Sequence, residues 1–204
     1  MDQSTVFQFF GGVSQDGLSW AVDYDKVLYE LARWLLPIGI CLLAVFGWLW
    51  EGFLYLFKDD MYVNRGFLTG PWLPIYGIGG VMLEVLFHRW RDRPVLTFVS
   101  SMAVCTMLEY AAGWYLELTW GVKWWDYSAV PWNLHGRVCL YGSIFFGLGG
   151  LLLVWLVSPL FYSLYCRIPW RIQAGAGILL LLLFTADASY SAMRPHVGLG
   201  VTYR

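Results

Sequence analysis

The chain has 204 residues, 59% of them hydrophobic and only 13% charged, which leaves too little polar surface to cover a soluble globule. The 13 Lys plus Arg stand against 14 Asp plus Glu, which excludes a basic phosphate-binding face, so nucleic acid is not an expected partner. The lipid bilayer is.

Residues 1–33 form an N-terminal segment with no basic start and no long apolar run, so a cleaved signal peptide is not expected. Trp20, Tyr24, Val27, Leu28 and Leu31 recur at helical spacing, with Asp23, Asp25, Lys26, Glu30 and Arg33 at the other positions. That pattern predicts an amphipathic helix in the membrane interface.

Residues 34–193 form the transmembrane domain. A hydrocarbon core of about 30 Å needs about 20 mostly apolar helical residues, and five stretches meet or approach that length. They are Trp34–Phe57, Pro71–His88, Pro94–Thr119, Val138–Tyr165 and Ile172–Met193. Backbone groups in lipid must pair internally, and these runs are too long for barrel strands. The fold class is therefore an all-α integral membrane protein, a bundle of about five transmembrane helices preceded by the amphipathic helix. The connections leave no room for a soluble domain, and residues 194–204 form a C-terminal tail.

Five spans put loops one and three on the same side as the C-terminus. Lys26, Arg33, Arg89, Arg91, Arg93, Arg167 and Arg171 lie on the N-terminal side, and Lys58, Arg65, Lys123, Arg137, Arg194 and Arg204 on the other. The difference favours a cytoplasmic N-terminus. The expected location is the bacterial plasma (inner) membrane.

Carboxylates inside spans cost a few kcal/mol each and ask for a reason. Glu51, Glu109, Glu117 and Asp187 all fall in the membrane half nearer loops one and three, whereas Glu84 lies toward the opposite face beside His88 and Arg89. Glu109, Gly113 and Glu117 are spaced i, i+4, i+8, which predicts two carboxylates on one helix face with a side-chain-free notch between them. Each carboxylate could instead pair with Arg65, Arg137 or a hydroxyl and serve packing alone.

Loop one runs into the second span as NRGFLTGPWLPIYGIGG, from Asn64 to Gly80, and its prolines and glycines predict a bent or broken segment. Loop three reads WWDYSAVPWNLHGR, from Trp124 to Arg137. Trp124 and Trp125 read as interfacial belt residues, while Asp126, Asn133 and Arg137 read as polar groups with a task. The candidate substrate or ion pocket comprises Glu51, Asn64, Arg65, Tyr76, Glu109, Glu117, Asp126, Asn133 and Arg137.

Cys41, Cys105, Cys139 and Cys166 stand far apart in or beside apolar runs, as buried thiols do. His88, His135 and His196 do not group by spacing, so neither a metal nor a cofactor is expected.

Several of these segments resemble the ABC-transporter type IV, or CmpB-like, family of small polytopic membrane proteins. The resemblance is carried by GWLWE (Gly47–Glu51), NRGFLTGPWLPIYG (Asn64–Gly77), LEY (Leu108–Tyr110), Glu117, WWDYS (Trp124–Ser128) and NLHGRVCL (Asn133–Leu140), and spans roughly residues 44 to 160. It implies a transport permease. The chain has no G-x-x-x-x-G-K-[ST] sequence, so any ATPase is expected to be a separate subunit. A separate membrane subunit and a homo-oligomer are the other partners considered.

Three functions follow from these residues. The first is a transporter or permease component with a pocket of carboxylates and arginine. The second is a membrane-embedded enzyme acting on a lipid or isoprenoid, with the carboxylates and His135 as acid and base. No Ser/His/Asp elbow, H-E-x-x-H or D-rich motif accompanies them, so catalysis is the weaker reading. The third is a non-catalytic sensor or partner subunit.

Overall fold

The computed structural model of the chain describes residues 36–59, 63–87, 90, 92–165, 167–197 and 202–203. The predicted amphipathic N-terminal helix, His88, Arg89 and Cys166 lie outside these residues. The elements in order are α1 (Leu36–Asp59), α2 (Pro74–Phe87), α3 (Pro94–Trp120), β1 (Val122–Lys123), β2 (Asn133–Leu134), β3 (Val138–Cys139), α4 (Leu140–Leu152), a π-helical turn (Leu153–Val157), α5 (Ser158–Tyr165), α6 (Trp170–Met193) and β4 (Thr202–Tyr203).

The five predicted spans reappear as α1, α2, α3, the continuous α4–π–α5 rod, and α6. Ile38–Phe57, Pro94–Trp120, Leu140–Phe161 and Trp170–Met193 are each long and apolar enough to cross a membrane. Proline at the first turn of α3 needs no N–H there, and Gly121 ends the helix in the left-handed region, its N–H bonding to Glu117 O. The π turn arises where Pro159 has no N–H to give Trp155, and the Ser158 N–H reaches back instead to Leu153 O. Phe46, Phe57, Phe145 and Leu182 are among the many large apolar side chains left exposed, as a lipid-facing surface requires.

The second span is broken near its start, as its prolines and glycines predict. Its helical part, α2, has 14 residues, about 21 Å at 1.5 Å per residue and short of the hydrocarbon thickness. The chain that precedes it, residues 63–73, is non-helical. The Leu73 N–H donates to Ala44 O at 3.0 Å, and Ala44 lies about 22 Å back along α1 from its Asp59 end. Loop one therefore re-enters the bundle beside α1 and runs back to the level of Ala44, where α2 begins. Pro71 and Pro74 forbid an earlier helix start.

Exposed backbone at that depth would be costly in lipid, and here it is enclosed by protein. Leu68 and Trp72 pack with Cys41 and Ala44 in a buried cluster that Phe184 and Ala188 of α6 cover. Small residues let α1 and α2 meet: a Cβ on Gly77 would collide with Ile40 O, and one on Gly47 with the Tyr76 ring. On the other side of the bundle Gly150 and Gly147 of α4 admit Ser101 and Phe98 of α3, and Thr106 Oγ1 donates to Ser143 Oγ at 2.7 Å.

Loop three and the tail cap one end. β2 and β3 form a hairpin with Asn133 opposite Cys139, and β1 pairs antiparallel with β4. The His196 N–H donates to Phe67 O at 3.1 Å, and Trp124 Nε1 donates to His196 O at 3.0 Å. Loop one, loop three and the C-terminal tail thus meet at one end of the bundle.

Candidate functional site

The GWLWE segment presents Gly47 and Glu51 four residues apart, on one face of α1. The Tyr76 ring lies over the bare Gly47 backbone, and its hydroxyl reaches Glu51 Oε1 at 2.6 Å. Arg65, 8% exposed, brings Nε to 3.9 Å from Glu51 Oε2 and stacks its guanidinium over Tyr55, 4.6 Å from the ring centroid. Glu51 therefore has both a hydrogen-bond donor and a cation. Asn64 organises the loop itself: Oδ1 accepts from Trp48 Nε1 at 2.6 Å, and Nδ2 donates to Thr69 O at 3.1 Å.

Glu109 of α3, 6% exposed, enters the same cluster. Tyr127 donates to its Oε1 at 3.2 Å, and Oε2 has no hydrogen-bond partner. Tyr76 lies within electrostatic range of both Tyr127 and Glu109, and Glu51 within range of Tyr127. Two carboxyls from α1 and α3 and two phenols from α2 and loop three thus converge where the re-entrant segment turns into α2. Burial above all, and then the acids Glu109 and Glu51, hold the Tyr127 phenol above its ordinary range, so it stays protonated as a donor.

Glu117, 4% exposed, forms a separate unit, its Oε2 accepting from Arg137 NH2 at 2.6 Å. The Arg137 guanidinium lies 5.5 Å from the Tyr110 ring centroid, and the Tyr110 hydroxyl is 2.8 Å from His135 Nδ1. The notch expected at Gly113 is filled: a Cβ there would sit 3.1 Å from the Trp125 ring and 3.6 Å from Arg137 Cβ. An indole, rather than a cavity, occupies the space that glycine leaves.

Asp126 and Asn133 shape loop three. Asp126 Oδ1 accepts from the Ser128 hydroxyl at 2.5 Å and from the Ser128 N–H at 2.9 Å, and Oδ2 lies 3.5 Å from Lys123 Nζ. The Ser128 hydroxyl bond is the main reason that the Asp126 carboxyl stays below its usual range. Asn133 Oδ1 accepts from the Gly136 N–H at 2.9 Å, and Nδ2 donates to Val130 O at 2.8 Å. His135 and Gly136 both have positive φ, 54° and 68°, and the Arg137 N–H closes the turn on Leu134 O at 3.1 Å. The turn aims Arg137 inward at Glu117.

Trp124 is 2% exposed and packs with Phe67 and Trp120, while Trp125 donates to Arg137 O at 2.8 Å. Both pack inside the loop cap, unlike the interfacial belt residues expected of them. Asp187 does not join the other acids. It accepts from the Gly70 N–H, at 3.1 Å to Oδ1, and Ser191, one turn further, accepts from the Thr69 N–H at 3.0 Å. The pair satisfies re-entrant backbone that has no helix to pair with.

Tyr127 and Ser191 were not among the sequence candidates. Tyr127 carried a signal, as the only hydroxyl-bearing ring inside the WWDYS motif. Ser191 had only its i+4 spacing from Asp187.

The fold and site define a polytopic helical membrane protein with a re-entrant segment and buried acids beside it. A family model described as "Putative ABC-transporter type IV" matches residues 38–192. The chain belongs to that family, and the match takes in α1 through most of α6, including Asp187. No curated protein and no solved structure matches the chain.

Proposed function

We propose that the chain is a transporter or permease component of the bacterial plasma membrane, with its N-terminus cytoplasmic. Its working centre is the cluster of Glu51, Arg65, Tyr76, Tyr127 and Glu109. The observation that carries this reading is the re-entrant segment: non-helical chain reaches the level of Ala44, brings Arg65 beside the half-buried Glu51, and leads into α2, whose Tyr76 donates to the same carboxylate. Interrupted helices of this kind form binding sites near the membrane midplane in secondary transporters.

The charge distribution supports the same reading, because Glu51 and Glu109 lie within electrostatic range of one another and Arg65 of loop one lies 3.9 Å from Glu51. Such a centre accommodates a solute or an ion. Glu117, Arg137, Asp126 and Asn133 hold the loop that covers it. If ATP drives the process, a separate P-loop subunit supplies it.

The test is solute flux in proteoliposomes containing the full chain, screened over anionic, neutral and cationic solutes. Flux that appears with the wild-type chain and falls at least tenfold, about 1.4 kcal/mol of barrier, in Glu51→Gln supports the reading. Flux unaltered by Glu51→Gln removes the cluster from the pathway.

A further inference from the structure

The three acids at the capped end of the bundle are held in different ways. Glu117 has Arg137 at 2.6 Å, and Glu51 has Arg65 at 3.9 Å together with a phenol at 2.6 Å. Glu109 makes no ion pair among the described residues. Its one hydrogen bond, from Tyr127, is 3.2 Å long. Its other oxygen, Oε2, is buried with no hydrogen-bond partner.

The titratable groups within electrostatic range of Glu109 are Glu51 from α1, Tyr76 from α2, Cys105 on α3 itself and Tyr127 from loop three. None is cationic. Two are phenols and one is another acid, so an anion at Glu109 would be buried without compensation, which proteins avoid by keeping the proton. A metal cation in its place would need several more oxygen ligands, and no group of three or more His, Cys, Asp or Glu side chains suited to a metal exists among the described residues.

From this geometry we infer that Glu109 holds an exchangeable proton on its Oε2, and that its loss and return couple the cluster to a proton gradient. The exchange is a simple one: the neutral acid gives up one proton and becomes a carboxylate, and the same oxygen regains it. Tyr127 keeps its own proton throughout. The coupling rests on the transport reading above, whereas the proton on Glu109 does not.

The experiment has two arms on the full chain in lipid. In the first, the wild-type chain is treated at neutral pH with an apolar carbodiimide, which reacts with protonated buried carboxyls, and the adduct is located by mass spectrometry. Labelling at Glu109 but not at Glu51 or Glu117 is the expected result, and its loss as pH rises supports exchange. Equal labelling of the three acids, or none at Glu109, overturns the proton site. In the second, proteoliposomes enclosing a pH-sensitive dye are given a pH gradient. The expected rate of proton entry is at least tenfold lower in Glu109→Gln and unchanged in the exposed control Asp92→Asn. Labelled Glu109 without proton entry overturns the coupling and leaves the proton site standing. Unlabelled Glu109 with intact solute flux overturns the proton site and leaves the permease.

Discussion

Glu109 and Glu117 lie two turns apart on α3, about 12 Å along the axis, both less than a tenth exposed, yet their surroundings differ. Glu117 is met by a guanidinium that a tight hairpin aims at it. Glu109 is met by one distant phenol. The same residue type on the same helix thus serves two ends: where a cation was built in, the acid anchors a loop, and where none was, it is left able to exchange a proton. Burial by itself does not separate the two. The partner does.

The largest effect expected from this contrast is at Arg137. Removing one partner of a buried ion pair costs about 3–5 kcal/mol, so Arg137→Gln should sharply lower the unfolding midpoint in detergent. A second change, Glu117→Gln in the Arg137→Gln background, should recover part of that loss. If it recovers nothing, the pair is not what holds loop three. Next comes Asp187→Ala, which strips the Gly70 N–H of its acceptor. An unsatisfied buried donor costs about 1–3 kcal/mol, and faster amide exchange across residues 66–73 would show it.

Glu109→Gln should separate the two acids most clearly, because it replaces a neutral acid with a neutral amide of the same shape. Its stability should stay within about 1 kcal/mol of the wild type while flux drops at least tenfold. A collapse in stability would mean that Glu109 is paired as Glu117 is, and the contrast would dissolve. Tyr127→Phe removes a single weak hydrogen bond and should cost about 0.5–1.5 kcal/mol, read from the same unfolding curves. The smallest effect belongs to Asp126. Its carboxyl is held below its ordinary range, so its contribution is present above the unfolded value of about 3.9 and is lost as pH falls through the lower folded value. Asp126→Asn should abolish that acid-side loss of loop-three order, followed by tryptophan fluorescence.

Much of this architecture was legible in residue order. The five helices could be bounded to within a few residues because apolar runs of the right length have only one way to satisfy their backbone in lipid. The break in the second span was also readable, since Pro71, Pro74 and the surrounding glycines cannot continue a helix. Its depth was not, because it depends on Ala44 offering a carbonyl and on Asp187 and Ser191 arriving from a helix more than a hundred residues away.

The acids illustrate the same boundary. Composition and spacing alone established that Glu51, Glu109, Glu117 and Asp187 are costly residues in one membrane half, because transfer into lipid is a property of each side chain and its depth. Which of them share a site was decided only when the chain folded. Arg137 turns toward Glu117 through the Asn133–Gly136 corner, Trp125 fills the space at Gly113, and Tyr127 swings in beside Glu109. A charge's partner is a contact between distant segments, and local sequence does not encode the distance.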